Sequence, residues 1–155
     1  MASRAVADDE LLIDRVFAAP PDLVFAMWAS ARHFKAWLGP VGFTCTQADL
    51  DFREGGDWSA TMVSAQHGEA RMGGRYLEIE PDRRIVMTFR WLNGEPDPET
   101  VVTLTFTPVD GGTLQSFHQT PFENVPRRDS HVGGWSEAFD SERAYLETQV
   151  QEPVQ

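Results

Sequence analysis

The stretch that decides the fold is SHVGGWSEAFDSERAYLETQ, residues 130–149 of the 155-residue chain. Ser130 is a good helix-capping residue, and the spacing of the apolar residues that follow it predicts a helix over residues 131–149. Gly133 and Gly134 weaken the first turn of this helix, but they would also let a ligand or another backbone come close. The large apolar side chains share one face, which consists of Val132, Trp135, Phe139 and Leu146, flanked by Ala138 and Tyr145.

Seven strand-type segments upstream predict the sheet that this helix covers. Clusters of Gly, Asp and Pro separate them at hairpin-like intervals, and their ranges are 11–18, 43–50, 57–64, 69–80, 84–92, 100–107 and 113–120. The last six segments follow one another as an antiparallel meander. The pair Gly73-Gly74 lies inside one of them and predicts a bulge there. Only the final helix is long enough to cover the apolar face of such a sheet.

Two short helices are predicted between the first two strands. The first begins after Pro20, because proline suits the first turn of a helix. The second covers residues 31–38, with Ser30 as its cap. Further along, a polar loop over residues 121–129 precedes the last helix. The predicted fold is therefore α+β, with a curved seven-stranded antiparallel sheet around a long C-terminal helix and two short helices after the first strand.

Length and cysteine content favour one cytoplasmic domain. We expect a flexible N-terminal arm over residues 1–9, a single domain over residues 10–150 and a frayed tail over residues 151–155. Cys45 is the only cysteine, so no internal disulfide can form, which fits a reducing compartment. The N-terminal residues lack the apolar core of a signal peptide, and no apolar run approaches the length of a membrane span.

The charge and the residue pattern argue against several kinds of partner. The formal net charge is −11 and the pI is about 4.6, so a nucleic-acid backbone or an anionic membrane would be repelled, and we expect neither. His33, His67, His118 and His131 are scattered and Cys45 stands alone, so no metal site is expected. The glycine pairs lack the residues of a phosphate loop or a dinucleotide motif, so no cofactor is expected.

Six motifs, taken together, resemble one known family. They are APPDLVFAMW (19–28), HFKAWLGPVGF (33–43), DFREGGDW (51–58), GGRYLEIEPDRRIVMTFRW (73–91), VTLTFTPVDGGT (102–113) and HVGGWSEAF (131–139). In this order they resemble the heat-shock-protein ATPase activator homologue (Aha-type) family of the SRPBCC, or START-like, superfamily, over roughly residues 11–147. The resemblance implies a helix-grip fold with a cavity between the sheet and the long helix. A homodimer is common among proteins that resemble this chain, so it is a further hypothesis.

Aromatic and methionine side chains are the candidate lining of that cavity. Apolar walls with a few polar groups are typical of small-molecule sites, and methionine adapts its shape to a ligand. The predicted ligand-binding residues are Trp37, Phe43, Trp58, Met62, Met72, Met87, Phe89, Trp91, His118, Trp135 and Phe139. The alternative for this set is a solid core, to which some of its members must belong.

His118 is the polar residue of most interest. It shares a strand face with Ser116, and an inward-facing imidazole there would meet the final helix near His131 or Trp135. A neutral imidazole in that position could orient a ligand or move a proton. Phe117 has the opposite parity, so the strand alone does not say which of its faces is the inner one. We expect the ring of His118 to face inward, in an orienting or structural role.

The superfamily leaves three functions open, because it contains lipid carriers, aromatase/cyclases, self-resistance proteins and co-chaperone domains. The first is binding of a small hydrophobic or aromatic molecule in the cavity. The second is a polyketide cyclase or aromatase-like enzyme, in which His118 or a nearby arginine would assist proton transfer. The third is a stress-related, co-chaperone-like interaction module. We expect binding of a small hydrophobic ligand rather than catalysis, and we assign no catalytic residue, metal ligand or cofactor.

Overall fold

One antiparallel sheet and one long helix dominate the computed structural model, which describes residues 3–4, 7–93 and 98–151. In chain order the elements are β1 (Ser3–Arg4), β2 (Leu11–Phe17), α1 (Pro21–Ala29), α2 (Ala31–Trp37), β3 (Phe43–Leu50), β4 (Asp57–Ser64), β5 (Gly68–Glu80), β6 (Arg84–Trp91), β7 (Thr100–Val109), β8 (Gly112–Thr120) and α3 (Val125–Gln151). The described strands are ordered β1-β2-β8-β7-β6-β5-β4-β3 in the sheet. Strands β3 to β8 therefore form a meander, and β2 pairs with β8 at its end.

The predicted helix-grip architecture is confirmed, since the seven predicted strands are β2 to β8 and none of their boundaries differs by more than two residues from the observed one. Strand β1 is an addition, in which Ser3 pairs with Ile13 and Arg4 with Leu12. It lies within the arm predicted for residues 1–9. Residues 1–2 and 5–6 of that arm, residues 94–97 and residues 152–155 of the predicted tail lie outside the described residues.

Strand alternation places large apolar side chains on the sheet face that α3 covers. The buried residues of β8 are Thr113, Gln115, Phe117 and Gln119. From α3, the rings of Trp135 and Phe139 pack against Phe117 with centroid distances of 4.6 and 5.3 Å. Phe139 is 0% exposed, Trp135 is 6% exposed and Leu146 is buried with them, so the predicted apolar face of the final helix is confirmed.

Two tryptophan–glutamine hydrogen bonds attach the helices to the inner face of β8. Trp28 Nε1 of α1 donates to Gln115 Oε1 at 3.0 Å, and Trp135 Nε1 of α3 donates to Gln119 Oε1 at 2.9 Å. Both glutamines are buried. Because a buried polar group without a partner is destabilising, these bonds allow polar side chains to lie inside the aromatic core and fix the helices in register with the strand.

Helix α3 begins at Val125, six residues before the predicted start, so the loop predicted over residues 121–129 is in part helical. Asn124 Oδ1 accepts a hydrogen bond from the backbone N–H of Arg127 at 2.9 Å, which is the bond of a helix cap. Pro126 lies in the first turn, where proline is favoured. The sequence Asn124-Val125-Pro126 is therefore the local signal for the start of the helix. Ser130 lies within the helix and is not its cap. Ser30 does precede α2, but its side chain makes no capping hydrogen bond.

Gly73 and Gly74 allow two strands to approach closely and do not form the predicted bulge. The register shift of β5 falls instead between Tyr76 and Glu78. A Cβ atom at Gly74 would overlap the carbonyl oxygen of Thr88 on β6. Glycine is therefore required here for close backbone contact, which is the second role that glycine commonly has inside a strand.

Candidate ligand-binding cavity

A cavity of about 300 Å³ lies between the N-terminal part of α3 and strands β3 to β6. The segment after α2 contributes Leu38, Gly39 and Pro40, the strands contribute Phe43, Met62, Ala70, Met72, Phe89 and Trp91, and α3 contributes Arg127, Ser130, His131, Gly134, Trp135 and Ala138. Most of these side chains are apolar, and the few polar ones all come from α3. This combination of apolar walls and a few placed polar groups is typical of small-molecule sites.

The predicted lining divides into residues that border the cavity and residues that lie behind it. Six border it, namely Phe43, Met62, Met72, Phe89, Trp91 and Trp135. Four belong to the solid core instead, namely Trp37, Trp58, Met87 and Phe139. The rings of Trp37 and Phe139 pack on Trp28 at 4.9 and 6.1 Å, and Trp58 Nε1 donates to the carbonyl oxygen of Thr88 at 3.0 Å. The alternation of side chains along a strand identifies its inner face. It does not identify which part of that face borders the cavity.

His118 lies on the opposite face of the sheet, so the prediction that its ring faces inward is wrong. Its neighbour Phe117 takes the inner position and is 0% exposed, while His118 is partly exposed. The imidazole Nε2 is 2.6 Å from Glu10 Oε1 on the outer surface. The physical reason is that an aromatic ring gains more from burial against Trp135 than a polar imidazole does. A role of His118 as a ligand-orienting or proton-transfer group in the cavity has no structural basis.

His131 lies where His118 was expected, at the meeting of α3 and the inner face of the sheet. Its Nε2 accepts a hydrogen bond from Trp91 Nε1 at 3.1 Å, and its Nδ1 donates to the carbonyl oxygen of Arg127 at 2.9 Å. An indole N–H can only donate, so these bonds assign a neutral imidazole that carries its proton on Nδ1. The ring also lies 6.0 Å from Phe89 and 4.9 Å from Phe122. His131 therefore holds the Trp91 wall of the cavity against α3.

The family model for Activator of Hsp90 ATPase homolog 1-like protein matches residues 18–147 of this chain. The chain belongs to this family. The resemblance carried by the six motifs is thereby confirmed, and the matched range includes every residue that borders the cavity. A search of curated proteins finds no match to the chain.

Solved structures similar to this family member share its fold. Protein CV1439 from Chromobacterium violaceum has a TM-score of 0.81 at 27% identity, and the alignment covers 90% of this chain and 97% of that one. The AHSA1 protein from Silicibacter pomeroyi has a TM-score of 0.82 at 23% identity, with 90% and 99% covered. A protein from Rhodobacter sphaeroides has a TM-score of 0.81 at 24% identity, with 97% and 99% covered. The helix-grip fold is thus common to this chain and to three structures from other organisms.

In this family member, Gly134 keeps the cavity open on the side of α3. A Cβ atom built on Gly134 would meet no described atom within 4 Å, although the residue borders the cavity. Ala138, one turn further on, adds only a methyl group. Arg127, Ser130, Gly134 and Ala138 recur every three or four residues and therefore share one helix face. The sequence predicted close approach at Gly134 but not the positions of Arg127, which was expected in a loop, and Ser130, which was expected to cap the helix.

Cys45 lies behind the cavity wall, where it pairs with Met62 of the neighbouring strand. Its Sγ donates to the carbonyl oxygen of Gln47 at 3.3 Å, and burial raises the pKa of the thiol. Cys45 is therefore held as an unreactive thiol at neutral pH.

The described part of the chain contains neither a metal-ligand cluster nor a helix suited to crossing a membrane. Within it, no three His, Cys, Asp or Glu side chains are grouped so as to hold a metal ion. None of the described helices combines the length and the apolar character that crossing a membrane requires.

Proposed function

We propose that this protein binds a small hydrophobic or aromatic molecule in the cavity between the sheet and α3. The observation that carries the proposal is the unfilled space of about 300 Å³ beside Gly134, within a core that is otherwise closely packed. Its volume is at the lower end of the range of roughly 300–1,000 Å³ that small-molecule sites occupy. A solid core would place side-chain atoms within contact distance of a Cβ at this position.

Affinity in this proposal comes from burial of the ligand's apolar surface. Each Å² of apolar surface removed from water stabilises the complex by about 25 cal/mol. The walls that would bury it are aromatic rings, such as those of Phe89, Trp91 and Trp135, and the thioether side chains of Met62 and Met72. Because few polar groups restrict what can enter, we expect weak binding with broad selectivity.

The proposal includes the class of partner and the location of the protein. The net charge of −11 opposes binding to nucleic acid or to an anionic membrane, so the proposed partner is a small molecule alone. The single cysteine is a buried thiol, which agrees with a proposed cytoplasmic location. A homodimer stays a prediction, which sedimentation analysis at several protein concentrations would test. Because His118 lies outside the cavity, the cyclase-type alternative would depend on a nearby arginine, such as Arg127.

A pair of glycines in α3 provides the experiment. Leucine at position 134 would extend from the helix into the cavity, whereas leucine at position 133 would extend into solvent, because Gly133 is exposed and has no described atom within 4 Å. We expect 2-naphthamide, a neutral two-ring probe, to cause saturable NMR chemical-shift changes in the unsubstituted protein. Gly134→Leu should weaken this binding at least about tenfold, and Gly133→Leu should change it by less than about twofold.

Helix content and melting temperature should be retained in both glycine variants, since leucine favours a helix over glycine by up to about 1 kcal/mol. The proposal fails if the unsubstituted protein shows no saturation with 2-naphthamide or with other compact aromatic probes. It fails also if the two variants weaken binding equally, because the space beside Gly134 would then not be the binding site.

A further inference from the structure

The polar groups of the cavity are confined to one end, which indicates how a ligand would be oriented. All three polar side chains of the lining, those of Arg127, Ser130 and His131, belong to the first turns of α3. Further along the same helix, Gly134 and Ala138 contribute no polar side chain to the lining, and the lining residues of the strands are all apolar. A ligand that matches this distribution has one polar group and an otherwise apolar body.

Three polar groups near the cavity, the imidazole of His131 and the indole N–H groups of Trp91 and Trp135, make hydrogen bonds within the protein. His131 accepts from Trp91 Nε1 and donates to the Arg127 carbonyl oxygen, so neither of its ring nitrogens has a further hydrogen-bonding site in the neutral form. The indole N–H of Trp135 donates to Gln119. The imidazole and both indoles therefore present ring faces and edges to the cavity, as an aromatic ligand requires.

The other two polar groups are Arg127, whose guanidinium group can only donate, and Ser130, whose hydroxyl can donate or accept, so together they favour an anion or a hydrogen-bond acceptor. Arg127 is half-buried, and its guanidinium group has five N–H donors, so a ligand can share it with another partner. Ser130 Oγ makes no hydrogen bond to another described residue, and its hydroxyl can donate. Both residues also lie near the N-terminal, positive end of the 27-residue helix α3, which adds to the attraction for an anion.

Charges of both signs lie around this end of the cavity, so the guanidinium group of Arg127 alone does not set the local electrostatic potential. Glu123 lies with Arg127 and His131 around a small recess next to the cavity, and its carboxylate lowers the local positive potential. Glu123 does not border the cavity itself, whereas Arg127 does. Of these two charged groups, only the cation therefore borders the cavity.

The spacing along α3 sets the length of the ligand. At about 1.5 Å per residue, Gly134 lies about 6 Å from Ser130 and about 10 Å from Arg127 along the helix axis. Rings lying against Gly134 and Trp135 would thus place a carboxylate on the same molecule within reach of the Ser130 hydroxyl and the Arg127 guanidinium group.

We propose that the ligand of this cavity is a compact aromatic acid, with its rings against Gly134 and Trp135 and its anionic group at Arg127 and Ser130. This inference rests on the proposed function and adds the chemical class and the direction of the ligand. A long-chain fatty acid fits less well, because the cavity is small and its walls include several flat rings.

The test compares two probes of nearly equal shape, 2-naphthoate and the neutral 2-naphthamide, by isothermal titration calorimetry. The unsubstituted protein should bind 2-naphthoate at least about tenfold more tightly, because a hydrogen bond to a charged group is stronger than one between neutral groups. Added salt should reduce this preference. Palmitate should bind more weakly than 2-naphthoate.

Substitutions then locate the anionic group. Arg127→Gln should weaken 2-naphthoate binding about tenfold or more and change 2-naphthamide binding by less than about twofold, while Arg127→Lys should retain a part of the preference. Ser130→Ala should weaken 2-naphthoate binding about fivefold. The matched control is Arg71→Gln, which removes the same charge from an exposed position on β5 between two lining residues and should change neither affinity by more than about twofold.

Other outcomes would contradict either the aromatic-acid inference alone or the binding function as well. If 2-naphthamide binds as tightly as 2-naphthoate, or if Arg127→Gln weakens both equally, the aromatic-acid inference is wrong while the binding function stands. If the unsubstituted protein binds neither probe, the proposed function fails as well. The comparison of the two probes on the unsubstituted protein decides the matter even if the Arg127 variants do not fold.

Discussion

The two halves of α3 present similar apolar faces to the rest of the protein, but they have different surroundings. The N-terminal half, as far as Ala138, borders the cavity, although His131 and Trp135 contact Trp91 and Phe89 of β6. The C-terminal half, from Phe139 onward, is in direct contact with other elements. There Asp140 forms an ion pair with Arg15 of β2 at 2.8 Å.

Small residues account for the space beside the N-terminal half, called the open half here, whereas the C-terminal half is the closed half. Gly134 and Ala138 project little from the helix, and the strands opposite them carry side chains that border the space without filling it. In the closed half, Tyr145 and His33 meet at 2.6 Å between their hydroxyl and Nδ1 atoms, and Leu146 is buried. An apolar helix face therefore predicts a packed core only where the opposite layer is near and the side chains are large enough to reach it.

The largest expected effect comes from removing a ring in the closed half. Phe139 is 0% exposed, so Phe139→Ala should lower the free energy of unfolding by about 3–5 kcal/mol, through lost burial and a new void. Trp91→Ala should lower it less, although the side chain is larger, because Trp91 is half-buried and borders existing space. Chemical denaturation of both variants measures the difference. An equal or larger loss for Trp91→Ala would show that the two halves are packed alike.

In the closed half, the buried carboxyl group of Glu142 makes the stability of the protein depend on pH. Its side chain is 0% exposed, and its Oε1 accepts a hydrogen bond from Gln115 Nε2 at 3.1 Å. Its Oε2 has no hydrogen-bond partner among the described residues. Burial raises the pKa of this carboxyl group from 4.5 to about 8, and the nearby Arg15 and Arg143 only partly oppose the rise. The carboxyl group is therefore mainly protonated in the folded protein at neutral pH.

The second prediction follows from this raised pKa. Between pH 4.5 and about 8 the folded state holds the proton of Glu142 and the unfolded state has released it. Stability from this group is thus complete below pH 4.5 and is lost as the pH rises, at up to about 1.4 kcal/mol per pH unit. Glu142→Gln should remove this part of the decline, so the variant should match the unsubstituted protein at pH 4.5 and exceed it at pH 8.

Denaturation curves from pH 4.5 to pH 8 measure that pH dependence. The control is Glu147→Gln, which changes an exposed carboxylate on the same helix and should leave the slope unaltered. If Glu142→Gln and the unsubstituted protein lose stability with pH in parallel, the carboxyl group is not protonated in the folded state.

The smallest effect tests the open half without any ligand. Gly133→Ala and Gly134→Ala should each raise the free energy of unfolding by up to about 1 kcal/mol, because alanine favours a helix over glycine. The gains should be equal, since a Cβ at either position meets no described atom within 4 Å. Thermal and chemical unfolding of the two variants measure them. A gain for Gly133→Ala with a loss for Gly134→Ala would mean that the space beside position 134 is filled.

Most of the secondary structure could be predicted from local patterns. Turn residues and apolar segments located strands β2 to β8, and the spacing of Trp135, Phe139 and Leu146 identified the buried face of α3. These features depend on neighbours in the chain, which is why a sequence displays them. The start of α3 was also encoded locally by Asn124 and Pro126, but the more familiar cap at Ser130 was chosen instead.

The candidate site was predictable only in part, because its geometry depends on contacts between distant residues. Phe117 and His118 are adjacent and point to opposite faces, and only packing against Trp135 decides which one is inside. His131 acquires its role from Trp91, which is 40 residues away in the chain.

The sequence by itself determined the elements, their order and the apolar faces, since side-chain periodicity and turn residues act over a few positions. The tertiary structure alone decided which part of the apolar face of α3 borders a cavity and which part is packed. Phe139 and Gly134 lie on the same helix, yet one is enclosed by rings and the other borders a cavity. The reason is that empty space is a property of two layers together: its size depends on the distance between α3 and the strands and on whether the facing side chains can span it.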